Sequence, residues 1–132
     1  MFKQWANTHA ANFWKVLGSR YILYGEWLYA KHTVFYDALP HYFLEFDVLD
    51  LEKQVFLSTT KRQELLTELP VVSVPILFSG EVKSYKQLTS FLGKSHYQTP
   101  KYLHNFEQIC TEKGLDIQRS LQQTDQSSVI EG

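Results

Sequence analysis

The 132 residues amount to one domain, or a piece of a larger one, and a hydrophobic fraction of 44% with 15% aromatics excludes disorder over most of the length. Thirteen basic against 14 acidic residues leave a net charge of -1, with no global pull on a phosphate backbone, so any nucleic-acid contact rests on a local patch. The single cysteine, Cys110, makes no internal disulfide, the start lacks the basic-then-apolar order of a leader, and the longest near-apolar run, "VVSVPILF", is too short to cross a bilayer. A soluble, cytoplasmic protein is the expectation.

Phe2 to Leu17 predicts one amphipathic helix with Phe2, Trp5, Ala6, His9, Phe13, Val16 and Leu17 on a common side, closed by Gly18. His9 is expected to pack against Trp5 and Phe13. Two strands follow, Tyr21–Leu28 and Tyr42–Leu49, joined by a polar and aromatic connection ending at Pro40, and "QVFLS" is a short third strand. A helix is predicted from Thr59 to Leu69, with Thr60 and Gln63 spaced as a capping box. Val71 to Phe78 reads as a strand with an edge or bulge at Pro75. "SYKQLTSFLG" repeats the capping-box pattern and stops at Gly93. "TPKYLHNFEQICTEKG" predicts a helix capped by Thr99, with Pro100 in its first turn and Gly114 at its end. Strands and helices mix without regular alternation, so the fold class is α+β, a mixed or antiparallel sheet with flanking helices. There is no internal repeat. After "QQTDQSS" the chain turns apolar at Val129–Ile130 as if a strand were beginning, and the expectation is a truncated chain.

The acids inside the strands ask for an explanation, because a buried carboxylate is costly unless something positive or hydrogen-bonding meets it. On an uninterrupted strand, residues two apart share a face. In "YFLEFDV" that predicts Phe43, Glu45 and Asp47 together, with Tyr42, Leu44, Phe46 and Val48 opposite as a core face. In "YILYGEWL", Glu26 shares a face with Tyr24 and Ile22, and Gly25 removes a side chain so that a ligand or another backbone can come close. Solvent exposure on a one-sided sheet explains any single such acid. Gly-Glu between strand-forming aromatics breaks propensity and pattern together, which is where function is expected.

"YILYGEWLYAKHT" followed by "YFLEFDVLD" resembles the third motif and its companion in the covalent nucleotidyltransferases, specifically the ATP-dependent RNA ligases and their DNA-ligase relatives, and the terminal "IEG" resembles the start of the fourth motif. The resemblance covers most of the chain from Tyr21 on. It implies a partial nucleotidyltransferase (ATP-grasp-like) domain over residues 1–132, truncated at both ends, with ATP and Mg²⁺ as cofactors and RNA, or DNA, ends as partners. GTP stays open as the nucleotide, because mRNA-capping guanylyltransferases share the plan. Residue by residue, it implies that Glu26 accepts a hydrogen bond from a ribose hydroxyl, that Phe43 stacks on adenine, and that Glu131 lies near the metal and phosphate. Asp47 would orient the strand or a basic partner.

The reaction so implied has a lysine attack the α-phosphate of ATP, pass AMP to a 5′-phosphate end, and let a 3′-hydroxyl displace it. The nucleophile belongs in a Lys-x-(Asp/His)-Gly motif. Lys3 and Lys15 are followed by "QWA" and "VLG", and no later lysine has that context. The basic partners of the acids are expected outside this sequence, as are the paired lysines of the last motif. Lys31 either reaches a phosphate or is solvated. The chain is therefore expected to carry part of the ATP pocket without the catalytic nucleophile and to be inactive alone.

Other constellations are weaker. His9, His32, His41, His96 and His104 show no metal-site spacing, no Gly-rich phosphate loop occurs, and Cys110 reads as a small core residue. "KYLHNF" and "SYKQL" interleave basic and aromatic residues, as nucleic-acid surfaces and ordinary amphipathic helices both do. Two rival readings remain: a carboxylate-pair hydrolase using Glu26 with Glu45 or Asp47, and a non-catalytic interaction or nucleotide-binding remnant.

Overall fold

The computed structural model describes residues 1–31 and 33–124. They are arranged as α1 (Phe2–Thr8), α2 (Ala10–Leu17), β1 (Tyr21–Trp27), β2 (Phe43–Asp50), β3 (Val55–Phe56), α3 (Thr59–Leu66), β4 (Val72–Ser73), α4 (Tyr85–Thr89), α5 (Tyr102–Glu112) and α6 (Ile117–Gln122). The fold class is α+β, as expected. The chain forms two compact units, one of Met1–Tyr29 with His41–Val74, the other of Ala30–Pro40 with the chain from Pro75 onward.

The first unit holds the whole sheet. β1 and β2 pair antiparallel, and β2 carries β3 antiparallel and β4 parallel along its other edge, at opposite ends. Its core is Val48, Leu66 and Leu69, onto which Phe13, Val16, Leu17, Tyr21, Leu23, Leu57, Leu65 and Val71 pack. Trp5 on α1 meets Phe2, His9, Phe13, Trp27, His41 and Phe43 at ring-centroid distances of 5.1–6.1 Å. The expected packing of His9 against Trp5 is present at 5.7 Å.

Several boundaries differ from the sequence reading for identifiable reasons. The first helix is two helices, broken at His9 (φ -105°, ψ 7°). Gly18 does close the second, at φ 53°. α3 ends at Leu66, short of Leu69, because the residue before Pro70 is driven out of the helical region. The Thr60–Gln63 box does not form: Ser58 is the N-cap and its side chain makes no capping bond. The predicted strand over Val71–Phe78 shrinks to Val72–Ser73, with one further bond from the Val74 N–H to the Glu45 carbonyl (2.9 Å), since Pro75 has no N–H to donate.

The second unit is helical. Ser84 Oγ caps α4 by accepting the Gln87 N–H (3.1 Å), and Gln87 Oε1 accepts the Lys83 N–H (2.8 Å); α4 ends at Thr89, before Gly93. α5 is capped at Lys101, and Gly114 (φ 64°) ends it as expected, with the Leu115 N–H reaching the Cys110 carbonyl at 2.8 Å. Cys110 and Phe106 are buried, and Phe35 lies 4.9 Å from Phe106. α6, not foreseen, starts at Asp116, whose Oδ1 accepts the Arg119 N–H at 2.9 Å. Asp37 ties the 30–40 segment down: it accepts the Thr99 N–H (2.7 Å), the Thr99 hydroxyl and the Asn105 amide (2.6 Å). Burial pushes its carboxyl up, and those hydrogen bonds outweigh it and hold the group below the usual 3.8.

Candidate functional site: the β1–β2 ladder

The register of the ladder decides which side chains can act together. Tyr21 faces Asp50, Leu23 faces Val48, and Tyr24 faces Asp47; then the register slips, so that Gly25 faces Glu45 and Trp27 faces Phe43. Phe46 is the residue the ladder skips, a β-bulge. Beyond a bulge the two-residue alternation changes sides. Phe43 and Glu45 therefore share the inner, helix-covered face with Val48 and Asp50, and Asp47 stands on the outer face with Tyr24. The predicted grouping of Phe43, Glu45 and Asp47 on one side is corrected by this bulge.

Glu26 pairs with Leu44 on the outer face. Its side chain is exposed and has no ion pair or hydrogen bond among the described residues. Tyr24, also on the outer face, is exposed, as is the bulged Phe46. Phe43 is 7% exposed and lies on the other face among Phe2, Trp5 and Trp27. The ladder thus separates Glu26 from Phe43. Gly25 has a packing reason: a Cβ there would stand 2.4 Å from the Phe43 ring and 2.7 Å from the Leu44 carbonyl. Close approach of a ligand or another backbone was expected at this glycine, and the groups that approach are the Leu44 carbonyl and the Phe43 ring.

The acids do find partners within this chain. Glu45 is fully buried, accepts a hydrogen bond from the Ser73 hydroxyl, and has Arg62 Nη1 at 3.7 Å from its Oε2. Asp50, 1% exposed, receives both arms of Arg20 (Nε to Oδ1 3.2 Å, Nη2 to Oδ2 2.7 Å) and the N–H groups of Glu52 and Lys53. The Arg20 fork, with those backbone donors, holds the Asp50 carboxyl below the usual 3.8. The expectation that the positive partners lie outside this sequence is corrected for Glu45, whose partner is Arg62. Sequence reasoning missed both arginines. Arg62 left a readable signal, since it stands three and four residues before Leu65 and Leu66 on α3, and seven before Leu69 in the turn that follows, at the spacing of a buried helix side.

The remaining candidates are placed as follows. Asp47 Oδ1 accepts the adjacent Val48 N–H at 2.9 Å. Lys31 is half-buried, donates to the Gln123 carbonyl at 3.1 Å and lies over the Phe106 ring at 5.5 Å. Glu131 and His32 lie outside the described residues. Among the described residues no cluster of three or more His, Cys, Asp or Glu side chains is gathered to hold a metal. A groove of about 400 Å³ between α5 and α6 is lined by residues including Glu107 and Glu112, which suits a polyphosphate poorly. No helix among the described residues is long and apolar enough to cross a membrane.

A mixed sheet with one helix-covered face and an exposed acid, Glu26, on the other defines an α+β protein. The model of the family described as RNA ligase matches the chain over residues 1–132, and the chain belongs to that family. Neither the curated proteins nor the solved structures give a match.

Proposed function

We propose that this chain provides part of an ATP pocket used in joining RNA ends, and that the nucleoside lies on the outer face of the β1–β2 ladder. The observation that carries the reading is the exposed Glu26 carboxylate, unengaged among the described residues, on the same face of β1 as the exposed Tyr24, with the exposed Phe46 at the bulge of β2. Glu26, an acceptor-only group, takes a ribose hydroxyl. The bulge suits Phe46 to present its ring to the base, a contact of about 1 kcal/mol. Phe43 is the alternative stacking residue, and Asp47 orients the strand beside them. By resemblance the chemistry runs through a lysine–AMP intermediate with Mg²⁺ near Glu131. The lysines of this sequence lack the Lys-x-(Asp/His)-Gly context, so we assign this chain nucleotide holding and not the nucleophile. The same observation favours a second reading, a nucleotide-binding remnant with no chemistry of its own.

Thermal melts with and without ATP test the pocket. A ligand at a hundred times its Kd stabilises the fold by about 2.7 kcal/mol, a rise of several degrees in Tm. The expected pattern is a rise with ATP that Glu26→Ala abolishes and Phe46→Leu weakens, each scored against the variant's own unliganded Tm. Loss on Phe43→Leu with Phe46→Leu unaffected transfers the base to Phe43. No rise in the wild-type chain overturns the pocket altogether. GTP in place of ATP decides the base, and α-phosphate-labelled ATP should leave no covalent label on this chain. The hydrolase reading loses its Glu26–Glu45 pair, since Glu45 lies on the other face, bound to Arg62 and Ser73.

A further inference from the structure

From Val82 to Phe106 the chain carries four lysines, Lys83, Lys86, Lys94 and Lys101, and no Asp or Glu. The other nine basic residues share the rest of the sequence with all 14 acids, a balance of -5 outside this stretch of about +4. The chain's excess positive charge is therefore concentrated in this stretch, within the second unit, with Glu81 and Glu107 directly at its ends. Lys83, Lys86, Lys94 and Lys101 are all exposed, and none has an ion-pair partner among the described residues. Tyr85, between the first two, is 81% exposed. The other aromatics of the segment are engaged: Phe91 stacks on Phe78 at 5.0 Å, Tyr97 meets Tyr36 at 6.1 Å and Phe106 packs on Phe35, while Tyr102 lies under the Lys94 ammonium at 5.3 Å.

The segment has a fixed backing. The Tyr97 carbonyl accepts the N–H groups of Asp37 and Ala38 (3.1 and 3.0 Å), Gln98 donates to the Phe35 carbonyl (2.9 Å), and Asp37 holds Thr99 and Asn105. A stretch with four exposed lysines, no acid of its own and an exposed ring, on a backbone braced by Asp37, has the composition that single strands use, cations along the phosphates and a ring beneath a base.

We propose that Val82–Lys101 is a docking surface for single-stranded RNA, with Lys83, Lys86, Lys94 and Lys101 along the phosphates and Tyr85 stacked on a base. Only the choice of RNA rests on the family reading; the surface itself rests on charge and exposure.

The test is fluorescence anisotropy of the full chain with a fluorescein-labelled 12-nucleotide oligo(U) RNA, without ATP. Four phosphate contacts to a single strand predict a salt slope near -2.8, about a 50-fold loss of affinity between 50 and 200 mM salt. The Lys83→Gln/Lys86→Gln/Lys94→Gln/Lys101→Gln variant should bind weakly with a nearly flat salt dependence. A control with the exposed Lys3, Lys61 and Lys113 changed to Gln should keep the wild-type slope. Tyr85→Ala should weaken binding about tenfold at every salt concentration. Unchanged circular dichroism establishes that each variant is folded.

The proposal is overturned if the wild type does not bind, or if the control loses as much as the quadruple variant. It is equally overturned if the quadruple variant keeps its RNA affinity but loses binding to phosphatidylserine vesicles, which makes this a membrane-surface patch. RNA binding with no ATP-dependent rise in Tm sinks the pocket alone, and the converse sinks this surface alone.

Discussion

Glu45 and Asp50 stand on one strand, both nearly withdrawn from water, with arginines arranged differently around them. Arg20 meets Asp50 as a fork with two hydrogen bonds. Arg62 stands 3.7 Å from Glu45, leaving Glu45 Oε2 and Arg62 Nε without hydrogen bonds among the described residues. A buried pair of that kind contributes little net stability, while removal of one partner strands a charge at about 3–5 kcal/mol. Arg62→Met should therefore destabilise by that amount in urea titrations, and Glu45→Leu/Arg62→Met should recover most of it. A double variant as unstable as the single would contradict this account. Asp50 makes a pH prediction. Its carboxyl is held below the usual 3.8, so its contribution is fully present above that value and is lost as the pH falls through its lower folded-state value. The stability gap between wild type and Asp50→Asn should be constant from pH 7 to 5 and close below about pH 4. A gap that does not narrow as the pH falls below about 4 would rule out the ionised fork as its source.

At the scale of elements, the bulge is the feature that parity could not foresee. Alternation places a side chain correctly only while the ladder is uninterrupted, and the slip at Phe46 is encoded by how β1 and β2 pair, not by either run alone. Hence Glu26 was legible as a pattern-breaking acid but not as an exposed one, and the opposite face on which Phe43 lies was not legible at all. Helices with strong periodicity and a terminal glycine, α2 and α5, were readable for the same reason that they fold: one apolar side and a left-handed stop. The split at His9, the shrunken β4 and the partners of Glu45 and Asp50 depend on contacts distant in sequence or on a single proline. Gly25 gives the bulge region a measurable handle. Gly25→Ala should overpack against Phe43 and cost about 1–3 kcal/mol. Combining it with Phe43→Leu should cost less than the two effects added, because the clashing ring has gone. Strict additivity would mean that Gly25 is required for some other reason.

Across the whole molecule, exposure is uneven in a way a protease reads. Residues 75–86 are all exposed, and only the last two of them are helical, whereas Arg62 is buried on α3. Limited trypsin digestion should cut first after Lys83 or Lys86 and spare Arg62. An early cut after Arg62 would show that α3 opens readily. Each unit is also built from two separate stretches of chain, with crossings at Tyr29/Ala30, Pro40/His41 and Val74/Pro75. During synthesis, then, β1 waits for β2, and Glu45 waits for Arg62 and Ser73, before the first sheet is complete. Asp37 must wait for Thr99, 62 residues later. Closing such loops is slow relative to helix formation, so the emerging chain holds its aromatic-rich first helices and strand without partners for part of its translation. An N-terminal piece ending before Val72 would leave the sheet unfinished, and neither unit can be cut out as one continuous segment.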